Sequence, residues 1–113
     1  MSLRFPIRFL ILAVVQEQDI ENAINAAESL GAPVVYLAST GGFLGRRNAT
    51  LLIGLPESLE GSLIEALHNT CRQRVEYLTM PVEGAPMPLP TAVPVTVGGA
   101  TIFALPVDRF EEI

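Results

Sequence analysis

Residues 33–55 have the sequence PVVYLASTGGFLGRRNATLLIGL. Two apolar runs, residues 33–37 and 51–55, flank a polar segment that contains an adjacent glycine pair, Gly41 and Gly42. Short apolar runs bounded by turn residues are typical of buried β-strands. The stretch therefore predicts two neighbouring strands, joined by a turn in which glycine permits a positive φ and a close approach of the backbone to a ligand.

The segments on either side of these strands predict two helices and further strands. Apolar residues recur at helical spacing in residues 19–30 and 57–70, and Asp19 is a plausible N-cap of the first helix. Gly31 and Pro33 follow that helix in the manner of a C-terminal cap. Residues 7–15 and 75–82 are predicted to be strands. The predicted apolar faces are Ile20, Ala23, Ile24 and Ala27 in the first helix, and Leu59, Leu63, Ile64 and Leu67 in the second.

The remaining part of the chain is rich in proline. Residues 80–94 contain five prolines, which exclude a helix and a central strand, so we expect a long, semi-extended loop there. Residues 95–97 and 100–107 then predict two short strands or one bulged strand. The order β-α-β-β-α-β with appended strands is that of an α+β, ferredoxin-like (split βαβ) domain, whose antiparallel sheet carries two helices on one face.

Composition limits the classes of function. The 113 residues predict a single domain, 1–113. Half of the residues are hydrophobic, so the second face of the sheet is also expected to be apolar and to need a partner such as a sister subunit. The net charge of −5 argues against a nucleic-acid-coating protein. The longest apolar run is far shorter than a membrane-spanning helix requires. A single cysteine fits a reducing compartment, and we expect a cytoplasmic location.

The glycine turn is the main candidate for function. Consecutive amide N–H groups in such a turn can converge on an anion. Arginines suit phosphate, and an aromatic ring offers a stacking surface. A plain surface turn is the alternative, because the segment matches neither the dinucleotide-binding glycine pattern nor a P-loop. The residues that would form a nucleotide pocket here are Ser39, Thr40, Gly41, Gly42, Phe43, Arg46, Arg47 and Asn48.

Other chemistry has less support in the sequence. His68 and Cys71 are three positions apart on the second predicted helix, so they could share a face and hold a soft metal ion. Two ligands are too few, however, and the chain has no further histidine or cysteine. No set of residues suggests catalysis, so binding is the better hypothesis, and we expect neither a cofactor nor a metal.

The motifs of this chain resemble those of the PII-like cyclic-di-AMP receptors. The first is residues 37–44, LASTGGFL, with Asn48 and LLIG at 51–54. The second is VGGATIF at 97–103, followed by LPVDRFE at 105–111. Val15–Gln16 with Asp19, and Cys71 with Arg74, also match. The likeness extends over nearly the whole chain from about Phe9.

The resemblance implies a homotrimer of ferredoxin-like subunits that binds cyclic di-AMP, or another adenine nucleotide, in clefts between subunits. It also implies signalling through an unknown downstream protein rather than catalysis. Asn48 would hydrogen-bond an adenine edge and Phe43 would stack, while glycine amides would hold phosphate or base. The residues expected to bind the ligand are Thr40, Gly41, Gly42, Phe43, Leu44, Arg46, Arg47, Asn48, Gly54 and Phe103.

This chain also departs from the family pattern. Gly31, Pro33 and Val35 occupy positions where the family often has polar and basic residues, and Glu112 stands where a neutral Gln is expected. These departures suggest an alternative function. The chain would then be a divergent member that no longer binds the nucleotide and acts as a protein-interaction module through its proline-rich loop.

Overall fold

The computed structural model describes residues 6–38, 48–81 and 90–113. These residues form six strands and two α-helices, and a single 3₁₀ turn precedes each helix. The elements are β1 (Phe9–Gln16), α1 (Ile20–Ser29), β2 (Val34–Ala38), β3 (Asn48–Leu55), α2 (Glu60–Cys71), β4 (Arg74–Pro81), β5 (Pro90–Val97) and β6 (Ala100–Pro106).

The main sheet has four antiparallel strands in the order β2-β3-β1-β6. Both helices cover one of its faces, which confirms the predicted α+β, ferredoxin-like class. The position beside β1 at the free edge is taken by the last strand, β6, and not by the strand that follows α2. Because β4 and β6 both contain apolar residues typical of strands, their sequences alone do not decide which of them pairs with β1.

Strands β4 and β5 pair with each other in a separate two-stranded ribbon. The expectation of a loop throughout residues 80–94 is wrong, since β4 extends to Pro81 and β5 begins at Pro90. Among the described residues, each strand of the ribbon pairs with a neighbour on one side only. A proline placed where its N–H would have pointed to the other side therefore removes no hydrogen bond between the strands. Pro90 and Pro94 are four residues apart, which gives both prolines the same type of pairing position in an antiparallel ladder.

The hydrophobic core lies between the main sheet and the two helices. In β1 and β3 every second residue is buried, as a strand with one covered face requires. Leu63 and Leu67 of α2 are fully buried against this face, and Ala23 and Ala27 allow α1 to approach it closely. The predicted apolar stripe of α2 is correct except at Ile64, which is 38% exposed, whereas Cys71 at the end of the helix is buried.

The ends of α1 show how local sequence positions the elements. Gly31 has a φ of 82°, and its N–H donates to Glu28 O while Ala32 N–H donates to Ala27 O. This is the Schellman arrangement that the glycine predicts. At the other end Asp19 occupies the N-cap position, but its side chain makes no capping hydrogen bond. The carboxylate turns into the protein and binds Arg74 instead.

Candidate functional site

Within residues 6–38, 48–81 and 90–113 no helix covers the second face of the main sheet, and this open face is apolar. The strand register aligns Val35, Leu52, Leu12 and Phe103 in one row across all four strands. Val35 and Phe103 are each 54% exposed. Leu10, Val14, Leu37 and Leu105 extend the surface on both sides of this row. The second face of the sheet is therefore apolar, as predicted, and contiguous apolar surface of this kind is a candidate interaction site.

Three of the ten predicted ligand residues belong to the described part of the chain, and the strand alternation places all three on the open face. Asn48 begins β3, Gly54 lies near its other end, and Phe103 is on β6. Gly54 is six positions after Asn48 on the same strand, a distance of about 20 Å. The other seven predicted residues lie outside the described residues: Thr40, Gly41, Gly42, Phe43, Leu44, Arg46 and Arg47.

Gly54 makes room for a neighbouring side chain. A Cβ atom at this position would lie 2.9 Å from Ile7 Cδ1, which is closer than carbon atoms normally approach. Ile7 is 6% exposed, and Gly54 N–H donates to Pro33 O at 3.2 Å. In a single protomer, the absence of a side chain at Gly54 thus lets the segment before β1 pack against the sheet.

A cleft of about 820 Å³ lies at the Asn48 end of the sheet. Its volume is within the usual range for a ligand pocket. One wall is formed by Asn48 and Gln16, which are directly opposite each other in the β1–β3 register. The C-terminal part of α2 supplies Ile64, Leu67 and His68 to the cleft, and the residues that connect α2 and β6 to the ribbon supply Arg72, Gln73, Gly98 and Gly99.

The polar side chains of this cleft are available to a ligand. Within the described residues, no hydrogen bond is found for the side chains of Asn48, His68, Arg72 or Gln73. An asparagine or glutamine amide donates and accepts at once, and a guanidinium binds phosphate in a bidentate manner. The cleft therefore combines an apolar floor with groups that suit a nucleobase and a phosphate.

The root of the ribbon, which comprises residues 72–74 and 97–99, is held by several polar contacts. Arg74 Nη2 lies 2.7 Å from Asp19 Oδ1, and Arg74 Nη1 donates to Arg72 O at 3.2 Å. The hydrogen bond with Asp19 raises the pKa of Arg74 above its usual range. Gly98 N–H donates to Gln16 Oε1 at 2.8 Å, and Gly99 N–H donates to Cys71 O.

The His68–Cys71 pair is not arranged as a metal site. Cys71 is 1% exposed and belongs to the hydrophobic core, whereas His68 is exposed. Burial, together with the nearby Asp19 carboxylate, raises the pKa of the Cys71 thiol to about 11, although Arg74 acts in the opposite direction. The thiol is therefore neutral near pH 7. The described part of the chain contains no group of three or more His, Cys, Asp or Glu side chains that could hold a metal ion.

Sequence reasoning did not identify Gln16, Arg72, Gln73 and Gly98 as parts of this cleft. Gln16 was noted only for its match to the family pattern. A usable signal was present, because two adjacent glycines at 98–99 between two strand-like runs indicate a sharp change of direction. Both glycines have a positive φ, 88° and 92°, where the chain leaves the ribbon and enters the main sheet.

No helix in the described part of the chain has the length and apolar character needed to cross a membrane.

Known proteins resemble this chain in both sequence and fold. A protein of unknown function from Pediococcus pentosaceus is 31% identical, with 95% of this chain and 98% of that chain covered and a TM-score of 0.73. CPII from Thiomonas intermedia, solved with ADP, AMP and acetate, shares the fold at 14% identity, a TM-score of 0.52, and coverage of 90% of this chain and 89% of that chain. A DUF3240 family protein from Shewanella baltica does so at 11% identity, a TM-score of 0.55, and coverage of 96% and 99%.

The sequence profile of the cyclic-di-AMP receptor family matches residues 8–113, which is nearly the whole chain. The match includes the open face, the cleft and the root of the ribbon. The chain belongs to the cyclic-di-AMP receptor family, and its subunit has the PII-like fold.

Proposed function

We propose that this protein is a homotrimeric signal sensor that binds cyclic di-AMP, or a related adenine nucleotide, in clefts between subunits and catalyses no reaction. Family membership supports the ligand. The observation that carries the proposal is the open face of the sheet: strand alternation directs Asn48, Gly54 and Phe103 to this apolar face, which no helix of the described residues covers, although Ile7 fills the space at Gly54. A ligand bound on this face would also contact the second subunit that covers the face.

The open face of the subunit supports a trimer. The row from Val35 to Phe103 crosses all four strands of the sheet, and a contiguous apolar row of this kind favours contact with another subunit. Three sheets packed around a threefold axis would cover this surface and close the assembly. The distance of about 20 Å between Asn48 and Gly54 is better spanned by a site that two subunits share than by a pocket in one.

The side chains of the cleft, together with Phe103 on the open face, suit an adenine nucleotide. The Asn48 amide can donate to and accept from one adenine edge, and Gln73 offers a second amide. Phe103 is 54% exposed, and its aromatic ring can stack against a flat base. Phosphate would be held by Arg46, Arg47 and the amides of Gly41 and Gly42, and the hydrophobic contact of Leu44 and the hydroxyl of Thr40 would complete the site.

Calorimetric titration with cyclic di-AMP tests this function. We expect saturable binding by the wild type and, for Asn48→Ala, a dissociation constant raised by about tenfold to a hundredfold, because lost hydrogen bonds to a base cost about 1–3 kcal/mol. Asn69→Ala is the matched control, since Asn69 is exposed on α2. If neither cyclic di-AMP nor ATP, ADP or AMP produces heat or a thermal shift with the wild type, the proposal is wrong.

A second candidate function is a protein-interaction module that ignores nucleotides. The ribbon favours it, because Val75, Tyr77 and Leu78 are 56%, 70% and 50% exposed on a two-stranded element. Such a ribbon is only marginally stable by itself in water. In this alternative the ribbon and residues 82–89 at its end would contact a downstream protein. A purified partner whose binding requires Tyr77 but does not change with nucleotide would favour the module over the sensor.

A further inference from the structure

We propose that Gln16 couples ligand occupancy at Asn48 to the position of the β4–β5 ribbon. The proposal rests on the proposed function, since it concerns how the same cleft signals to the rest of the molecule. The family is expected to report a bound nucleotide to a partner, and the Gln16 side chain would supply the physical connection for that signal.

The first step is the position of Gln16. It is the last residue of β1 and is paired with Asn48, the first residue of β3, so both side chains lie at the same end of the sheet and line the same cleft. A ligand that hydrogen-bonds to the Asn48 amide is therefore within reach of the Gln16 amide. Gln16 is half-buried, which restricts the directions in which its side chain can move.

The second step is what Gln16 holds. Its Oε1 accepts a hydrogen bond from Gly98 N–H at 2.8 Å, and Gly98 is the first residue after β5. Gly98 is itself buried, so a Gly98 N–H without an acceptor would be costly. If the Gln16 amide moves, the root of the ribbon must therefore move with it, or Gly98 N–H must find a new acceptor.

The third step is that the root moves as one body. A Cβ atom at Gly98 would lie 2.3 Å from Arg72 O, so the two root segments are in direct contact. The β4–β5 register pairs Arg74 with Val97, and Gly99 N–H donates to Cys71 O, close to the start of β4. These contacts join the end of β5 to the start of β4. Moving Gly98 consequently redirects both strands of the ribbon, because in the described part of the chain neither strand pairs with the main sheet.

The fourth step is the size of the lever. The described chain measures 64 Å along its longest axis and 26 Å and 22 Å along the others. Each ribbon strand has eight residues, or about 26 Å. A small rotation at the root is thereby enlarged towards the far end of the ribbon, and the exposed Tyr77 and Leu78 lie about halfway along β4. A ligand needs only a differential affinity for the two root positions to shift the ribbon.

Hydrogen exchange of the ribbon amides tests the proposal with two variants of one residue. Gln16→Leu keeps the size of the side chain but removes the acceptor, whereas Gln16→Glu keeps an acceptor oxygen. Without ligand, we expect exchange over residues 90–99 to be about tenfold faster in Gln16→Leu and near the wild-type rate in Gln16→Glu, because one lost hydrogen bond shifts a local opening equilibrium by about that factor. Exchange in α1 serves as the internal control for folding.

The same amides are then measured at saturating cyclic di-AMP, so that differences in affinity do not enter. We expect the ligand to change ribbon exchange by at least threefold in the wild type and in Gln16→Glu, and to leave Gln16→Leu unchanged. Gln18→Ala is the neighbouring control, since Gln18 Nε2 also donates to Gln16 Oε1 but is exposed. Its ribbon should respond like the wild type.

Three results would overturn the coupling. One is a ribbon in Gln16→Leu that exchanges and responds like the wild type. Another is a Gln16→Glu variant that behaves like Gln16→Leu, which would show that the acceptor is not the reason. The third is a wild type that binds cyclic di-AMP without any change in ribbon exchange, which would leave the proposed function intact. A wild type that binds no nucleotide would overturn both, while the ligand-free comparison would still decide whether Gln16 holds the ribbon.

Discussion

The Cys71 thiol lies at the point where α2, β1 and the root of the ribbon meet. It is 1% exposed, and its backbone carbonyl accepts the Gly99 N–H. Burial raises its pKa from 9.0 to about 11, with a further increase from the Asp19 carboxylate that Arg74 opposes. A thiol in this position is an inert apolar group at neutral pH. It belongs to the packing of the fold rather than to its chemistry.

The raised pKa of Cys71 predicts a loss of stability at alkaline pH. Above pH 9.0 the unfolded chain releases the thiol proton while the folded chain retains it up to about pH 11, so the unfolded state is favoured as the pH rises through this interval. Between pH 8 and pH 10, we expect the free energy of unfolding of the wild type to fall relative to that of Cys71→Ala by about 1 kcal/mol. Urea unfolding at the two pH values measures this difference. Parallel pH profiles of the two proteins would contradict it.

Asp19 shows which residue-level features the sequence could and could not predict. The residue stands at the start of α1, where local pattern alone indicates a helix cap. Asp19 is 1% exposed, and its carboxylate is bound by Arg74, which is 55 positions further along the chain. No local signal carries such a pairing, because it depends on where β4 begins in space. The same reason explains why Gln16 and Gly98 were not predicted to meet.

At the scale of elements, proline content gave the wrong prediction for the ribbon. The rule that proline breaks strands holds for a central strand, where each N–H is needed. Among the described strands, β4 and β5 pair only with each other, so each has one edge where no hydrogen bond to another strand is needed. Prolines spaced so that their missing N–H groups would face this edge are tolerated. The strands of the main sheet were predictable because β1 and β3 are long, apolar and flanked by turn residues. The ribbon was not predictable, since β4 and β5 pair only with each other among the strands that the structure describes, and no local signal marks that choice.

Two glycines in different elements have opposite expected responses to alanine. Gly98 has a φ of 88°, and a Cβ there would lie 2.3 Å from the backbone oxygen of Arg72. We expect Gly98→Ala to lower the free energy of unfolding by about 2–4 kcal/mol, from the unfavourable φ and the clash. Gly61 lies in α2 with nothing within 4 Å of the added atom, so Gly61→Ala should raise stability by about 0.5 kcal/mol.

Thermal and urea unfolding followed by far-ultraviolet circular dichroism measures both glycine variants. The pair controls for the general effect of adding a methyl group, because the substitution is the same and only the backbone conformation and surroundings differ. A Gly98→Ala protein as stable as the wild type would show that the ribbon root can rearrange at little cost. It would also weaken the view that the root moves as one body.

The whole molecule departs from the shape expected of its length. Its radius of gyration is 18.1 Å, whereas a compact chain of this size has about 13 Å. The excess reflects the ribbon, which extends from the main sheet. The hydrophobic fraction of 50% predicted that a second apolar face would need a partner, and the open face agrees with this prediction. The direction of the ribbon could not be predicted from composition, because composition does not record which strands pair.

At this scale the proposed trimer makes a prediction for the open face. Three chains of 12.1 kDa give a mass of about 36 kDa, which light scattering after size exclusion measures. Leu12 and Val35 belong to one row of the open face, so a charge at either position would be buried between subunits without a partner. Such burial costs several kcal/mol. We expect Leu12→Glu and Val35→Glu to dissociate to a mass near 12.1 kDa while retaining the wild-type circular dichroism.

Tyr36→Glu provides the matched control for Val35→Glu. The two residues are neighbours on β2 with similar exposure, 48% for Tyr36 and 54% for Val35, but strand alternation directs them to opposite faces of the sheet. Tyr36→Glu should therefore keep the trimer mass. If Tyr36→Glu and Val35→Glu dissociate the assembly equally, the open face is not the interface. If neither variant nor Leu12→Glu changes the mass of the wild type, the row from Val35 to Phe103 has another role, and a ligand site built between open faces fails with it.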